Sequence, residues 1–140
     1  MNATVGDIGW PLFAGHWAGD HLAQTDRQAA HKAGKGAEGW QAMAGHVAGY
    51  TACQAVALAG LAATGRRTSL GRAAAALAIS AGTHAVIDRR WPVQWLLRHT
   101  GSPDFASLAS HGLNGPYLAD QALHIGCIYA AALVAASRLS

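Results

Sequence analysis

Three times in 140 residues a histidine and an aspartate stand four positions apart: His16 with Asp20, His84 with Asp88, and Asp120 with His124. On an α-helix residues i and i+4 lie on one face, one turn apart, so each pair presents an imidazole and a carboxylate to the same point. All three pairs sit in stretches dominated by alanine, a strong helix former. A further such stretch carries His46 between Met43, Val47 and Tyr50. Alternation of β-branched or aromatic residues with polar ones is nearly absent, which removes most strand signals.

The pattern predicts an all-α chain, a bundle of four main helices over about 8–30, 39–63, 70–89 and 117–139. Short extra helices are expected between the third and fourth, one near 93–97 and one starting at Ser102 or Asp104 and running through Ser110. The connections fit this division. Lys32 to Gly36 is a polar, glycine-bearing break, and Ser69 is placed to cap the third helix. Pro92 disfavours helix at Trp91 and ends that helix. Residues 1–140 make one domain's worth of chain. Gly15 and Gly19 around His16, and Gly45 and Gly49 around His46, each share a helix face. They suggest two helices packed closely enough for the two histidines to meet.

Composition narrows the chemistry. Charged residues make up only 12% of the chain, whereas the eight histidines outnumber its seven acids. Acids and histidines aimed into a bundle interior are costly unless paired or bound to a cation. Four-helix bundles also support metal sites built from inward-facing side chains. The sequence therefore points to a single helical metal-binding domain with His16, Asp20, His46, His84, Asp88, Asp120 and His124 as ligands. Nitrogen and oxygen donors suit zinc, manganese or iron, one or two ions per chain. Gln24 and Gln121 stand where they can orient ligands. Asp120 and His124 are candidates for acid–base work if left off the metal. His21, His31, His99 and His111 lack the four-residue pattern and read as local or solvated. Cys53 and Cys127 read as buried small hydrophobes, too far apart in sequence for a cysteine-rich zinc site.

The expected function is that of an enzyme, a metal-dependent hydrolase that acts on a nucleotide or another small phosphorylated substrate. Arg89 and Arg90 directly follow Asp88 and would serve as the substrate's phosphate contacts. The net charge of +3 is spread over scattered pairs, and no nucleic-acid motif is present. No secretory signal is visible at the start, and His, Asp and Gln interrupt the apolar stretches, so the expected location is the cytoplasm. Two alternatives stand beside this reading. One is a multi-pass membrane protein that binds or transports metal. The other is a non-enzymatic partner protein whose His–Asp network is structural. Oligomeric state is left open.

The run from Gly15 through Asp26, GHWAGDHLAQTD, resembles the opening of the DUF3307 family, in which a histidine, an aspartate and a glutamine recur at four-residue steps. The resemblance continues at His46 with Tyr50, at Thr83 to Asp88 and at Asp120 to His124. It covers most of the chain outside 89–116. It implies a domain of unassigned function among proteins that look like multi-pass membrane proteins, some loosely similar to membrane-bound metal-dependent hydrolases. The family's helices are rich in leucine and phenylalanine, whereas these are rich in alanine and glycine.

Overall fold

The computed structural model describes residues 1–137. Among them run six α-helices: α1 (Val5–Ala18), α2 (Asp26–His31), α3 (Gly36–Ala63), α4 (Leu70–Ile87), α5 (Trp91–His99) and α6 (Gly115–Ala136). A two-stranded antiparallel hairpin, β1 (Ala109–Ser110) with β2 (Leu113–Asn114), precedes α6. The chain is all-α in class. The bundle is made by α1, α3, α4 and α6: α1 packs on α3 and α6, and α4 packs on α6 and α3.

The helix starts are chemically marked. Thr4 and Asp7 form a reciprocal capping box at α1. Ser69 accepts from the Arg72 amide at α4, and Asn114 accepts from the Tyr117 amide at α6. Each satisfies amides that the first helical turn leaves free.

The expected first helix, 8–30, is divided. After α1 the chain passes through a π-helical turn, Gly19–Ala23, and then breaks at Gln24. Thr25 and Gln28 form a second capping box and restart the helix as α2. The Thr-x-x-Gln signature that ends one helix and begins another was present in the sequence. The connection after α4 also differs from expectation. Arg90 adopts φ 64°, which breaks the chain between α4 and α5, and Pro92 falls in the first turn of α5. Proline is tolerated there because the first-turn amides have no helical partner. The second short helix shrinks to a single 3-10 turn, Phe105–Ser107. His111 and Gly112, at φ 52° and 76°, then turn the hairpin. The expected end of the last helix at Leu139 lies outside the described residues.

One end of the bundle is an apolar core. Ile8, Leu12, Leu58, Ala76, Ile128, Ala131, Ala132 and Ala135 are buried together. A smaller cluster of Ile87, Val93, Leu97 and Ala106 seats α5. Close helix contact comes from Gly15 and Gly19. A Cβ on Gly15 would lie 2.6 Å from Gln54 Cα, and one on Gly19 2.8 Å from Tyr50 Cα. Gly49 has no such neighbour, so the partner face on α3 is Tyr50 and Gln54, not the expected Gly45 and Gly49. His16 accordingly packs on Tyr50, His84 and His124. Cys53 and Cys127 are free and half-buried, less enclosed than expected.

Candidate metal centre

At the other end of the bundle the four long helices turn histidines inward. His16, His46, His84 and His124 are each 1% exposed or less. His84 is central: its Nε2 lies 2.8 Å from His46 Nε2, and its Nδ1 lies 3.2 Å from His124 Nδ1. The Tyr50 ring stacks on the His84 ring at 3.8 Å and 15°. Tyr50 is itself fixed, its hydroxyl 2.7 Å from Ser80 Oγ and accepting from Gln54 Nε2 at 3.0 Å. A rigid polar floor thus sets the ring plane of the central histidine.

The carboxylates close around these rings. Asp88 Oδ2 lies 2.9 Å from His46 Nε2 and 3.1 Å from His84 Nε2. Asp20 Oδ1 lies 3.3 Å from His46 Nε2, and Asp120 Oδ2 lies 3.4 Å from His124 Nε2. All seven residues singled out from the sequence come together. They form three overlapping groups, His16/His84/His124, Asp20/His46/His84/Asp88 and Asp20/Asp120/His124, each with donor atoms within 4.8 Å of one another. Such groups can hold a metal ion.

The internal pairing departs from the helical arithmetic at one place. His84–Asp88 and Asp120–His124 are contacts within one turn, as the spacing required. His16 and Asp20 make no ion pair among the described residues. Asp20 lies where α1 passes into the π-helical turn, and turns of this kind recur at functional sites. Asp20 belongs to two of the donor groups, and His16 bonds to Gln121 instead. His16 Nε2 lies 3.0 Å from Gln121 Oε1, while Gln121 Nε2 donates to Asp20 Oδ2 at 3.2 Å and to Asp120 Oδ2 at 3.3 Å. That amide orientation makes His16 Nε2 the donor and leaves Nδ1 as the lone pair. Gln121 therefore bridges three of the seven residues. Gln24 donates to the Asp20 backbone carbonyl and braces the π turn.

Sequence reasoning missed Lys32. It caps the C-terminus of α2, yet its side chain is buried in the centre. Its Nζ lies 2.7 Å from Asp88 Oδ2, 3.2 Å from Asp20 Oδ1 and 3.0 Å from His46 Nε2. The Asp88 contact has the distance of an ion pair without the alignment of a hydrogen bond, so Asp88 Oδ2 remains an unpartnered acceptor. His16 Nδ1, His46 Nδ1 and His124 Nε2 are also buried without a hydrogen-bond partner. Orphaned buried atoms of this kind are costly and call for a ligand, water or ion.

The protonation states favour metal donors at Asp20, Asp88 and His16 but oppose them at His124 and His46: burial pulls both imidazoles down, yet Asp120 and Asp88 raise His124 to about 9, and Asp20 and Asp88 raise His46. Burial pushes the Asp20 carboxyl up, but the His46 hydrogen bond and the Lys32 charge outweigh it and hold it below the ordinary carboxylate range. Burial likewise opposes ionisation of Asp88, and the close imidazoles of His124, His46 and His84 overcome it, so its pKa is also lowered. Burial lowers His16 to about 4, against a smaller upward pull from Gln121. At neutral pH both carboxylates are charged and His16 is neutral, the forms that bind metal.

The centre opens into a cleft of about 520 Å³ lined by Asp20, Lys32, Asp88, Asp120 and Gln121 on its inner side. Its mouth carries Arg90, Gln94, Asn114, His21 and Tyr117. His21, read as a local histidine in the sequence, stacks on Trp17 at 4.3 Å and meets the Tyr117 hydroxyl at 2.8 Å. The two arginines separate. Arg90 lines the cleft and donates to the Ala29 carbonyl at 3.2 Å. Arg89 is occupied elsewhere: it donates to the carbonyls of Lys32 at 3.0 Å and Gly34 at 2.8 Å, with its guanidinium 4.5 Å from the centre of the Trp40 ring. His31 and His99 are exposed and stand apart from the donor groups.

No family model, curated protein or solved structure matches this chain.

Proposed function

We propose that this chain is a metal-dependent hydrolase acting on a small phosphoester, its metal held by His16, Asp20, His46, His84, Asp88, Asp120 and His124. The observation that carries the reading is the convergence of seven nitrogen and oxygen donors, several of them buried and unpartnered, at the floor of an open cleft. That donor set suits zinc, manganese or iron, as one ion or a pair. When bound, such an ion supplies Lewis acidity and a water acidified enough to attack. The chain's own residues do the rest. Asp120 reaches the cleft and pairs with buried His124; where this pair stays off the metal, it can take a proton at Asp120 Oδ2. Gln121 holds Asp20 and Asp120 in register. Arg90 at the mouth offers a planar cation to phosphate oxygens, while Arg89 keeps the 32–34 loop in place.

The test is elemental analysis of protein purified without chelators, then a screen of the loaded protein against nucleotides, generic phosphoesters, peptides and carboxylic esters. About one or two ions per chain are expected, with phosphoester turnover that Asp88→Ala abolishes. Metal-free protein, or turnover undiminished by Asp88→Ala, overturns the reading.

A second reading concerns location, and a separate observation favours it. Helices α3, α4 and α6 are long and apolar enough to cross a membrane, and a third or less of each is buried inside the protein. The shortest, α4, has 18 residues, about 27 Å of helix against a hydrocarbon core of about 30 Å. Val56, Leu70, Val86, Ile125 and Leu133 project outward. On this reading the centre lies inside a multi-pass membrane protein, where ionisable side chains mark a site or a pathway. Fractionation decides it: the membrane location requires that the chain stay with membranes through carbonate and high-salt washes and leave only with detergent. Monodisperse protein in detergent-free buffer restores the cytoplasmic expectation.

A further inference from the structure

Lys32 stands at the point where the donors of the Asp20/His46/His84/Asp88 group converge. Its Nζ is within 3.2 Å of three of them, and those donor atoms lie within 4.8 Å of one another. Two buried carboxylates face each other across this point. Without a counter-charge their burial would be strongly unfavourable. One ammonium offsets half of that charge, and one divalent ion would offset all of it. The ammonium and an ion held by the same lone pairs compete for one place.

We propose that Lys32 is a tethered stand-in cation: it fills the Asp20/His46/Asp88 donor set in the metal-free protein, and metal enters by displacing its ammonium into the cleft. The inference rests on the reading of this centre as a metal site. The path is open, since Lys32 itself lines the cleft. The backbone need not move. Arg89 clamps the Lys32 and Gly34 carbonyls, so displacement is a rotation of one side chain about a fixed anchor. Asp88 Oδ2 fits the same account. It sits 2.7 Å from the ammonium yet lacks an aligned donor, so its lone pairs are held by charge alone and are free for a better-matched ion. Elsewhere in the cluster His124 Nε2 and His16 Nδ1 stay unpartnered with the lysine in place. The lysine therefore fills part of the donor set and leaves the remainder unfilled.

The experiment uses the full chain and zinc alone, in two arms. In the first, wild-type protein is treated with an amine-acylating reagent with and without zinc, and modification of Lys32 is read by mass spectrometry against exposed Lys35. In the second, zinc affinity is measured for wild type and Lys32→Met by competition with a chromophoric chelator. Displacement requires that zinc raise Lys32 acylation several-fold while leaving Lys35 unchanged. It also requires that Lys32→Met bind zinc on the order of tenfold more tightly, because the competing cation is gone. Zinc binding by the variant alone supports the proposal as well. If wild type binds zinc while Lys32 stays protected, or if Lys32→Met binds no more tightly, the lysine and the metal coexist; the proposal then fails and the metal site stands. If neither protein binds zinc, zinc does not enter this donor set and the proposal falls, while the metal site is decided by the elemental analysis. Should Lys32→Met not fold, the acylation arm on wild type decides alone.

Discussion

The two ends of this bundle are built on the same four helices by opposite means. Around Ile8, Leu12, Ala76 and Ala131 the helices bury only apolar side chains, and stability follows from area removed from water. Around His84 they bury four imidazoles, two carboxylates and an ammonium, and stability follows from each charge having a partner. An apolar end responds to changes of volume and little to solution ions. A polar end responds to any loss of charge balance. The difference separates stability gained by burying area from stability gained by balancing buried charge.

The largest expected effect tests the polar end. Asp88→Ala leaves Lys32 and His46 without their shared carboxylate, and removal of one partner from a buried ion network costs about 3–5 kcal/mol. Metal content should fall to background in the same variant. Denaturant unfolding with and without added zinc checks both points; a variant as stable as wild type and equally responsive to zinc would remove the distinction between the ends.

Leu12→Ala is the matching test at the apolar end. Leu12 is wholly buried, and truncating such a leucine costs roughly 2–5 kcal/mol through lost transfer energy and the cavity left behind. The loss should be the same with and without zinc, and metal content should not change. A loss that zinc repairs would mean that the two ends are energetically one.

Between the ends sits the α1–α3 contact, which sharpens the comparison because both depend on it. Gly15→Ala places a methyl against the Gln54 backbone, which cannot rotate away. Overpacking of this kind costs about 1–3 kcal/mol. It should also weaken zinc binding modestly, since α1 carries His16. Gly49→Ala, with open space around it, should do neither. Thermal melts of the two variants side by side make the comparison.

The ends also differ in how legible they were. The seven donors could be read from the sequence because i,i+4 spacing is a rule of helix geometry and ionisable residues in alanine-rich helices are conspicuous. His84–Asp88 and Asp120–His124 obeyed that rule. His16 and Asp20 did not; they lie where α1 passes into a π-helical turn, which has no reliable sequence mark. Lys32 was read as part of a polar break. No periodicity links it to Asp20 or Asp88, and only tertiary contact brings it inward. The Thr25–Gln28 capping box was legible and would have divided the first helix. Arg89 shows the opposite failure: adjacency to Asp88 suggested a role at the mouth, yet Arg90 at φ 64° breaks the helix there, and the two side chains part.

The smallest expected effect concerns acid, and it separates the ends by their carboxylates. Asp7 serves the apolar end, capping α1 and accepting from Arg66 at 2.9 Å and 2.7 Å. The Thr4 amide and hydroxyl, with the Arg66 guanidinium behind them, hold its pKa below the ordinary carboxylate value. A carboxyl depressed in the folded state stabilises fully above its unfolded pKa, and that contribution is lost as pH falls through the folded pKa. Asp7→Asn should therefore lower the melting temperature slightly at neutral pH, and the gap to wild type should close as pH drops below about 4. The contact is only partly buried, so added salt should narrow the gap at neutral pH as well. Asp20 and Asp88 are depressed by buried partners instead, so the acid sensitivity that persists in Asp7→Asn belongs largely to the polar end and should resist salt. A gap between wild type and Asp7→Asn that widens in acid would reverse the sign and show that Asp7 is stabilised in its protonated form. If the remaining acid sensitivity of Asp7→Asn vanishes in high salt, the polar end is wetter than its buried carboxylates imply, and the contrast between the two ends weakens accordingly.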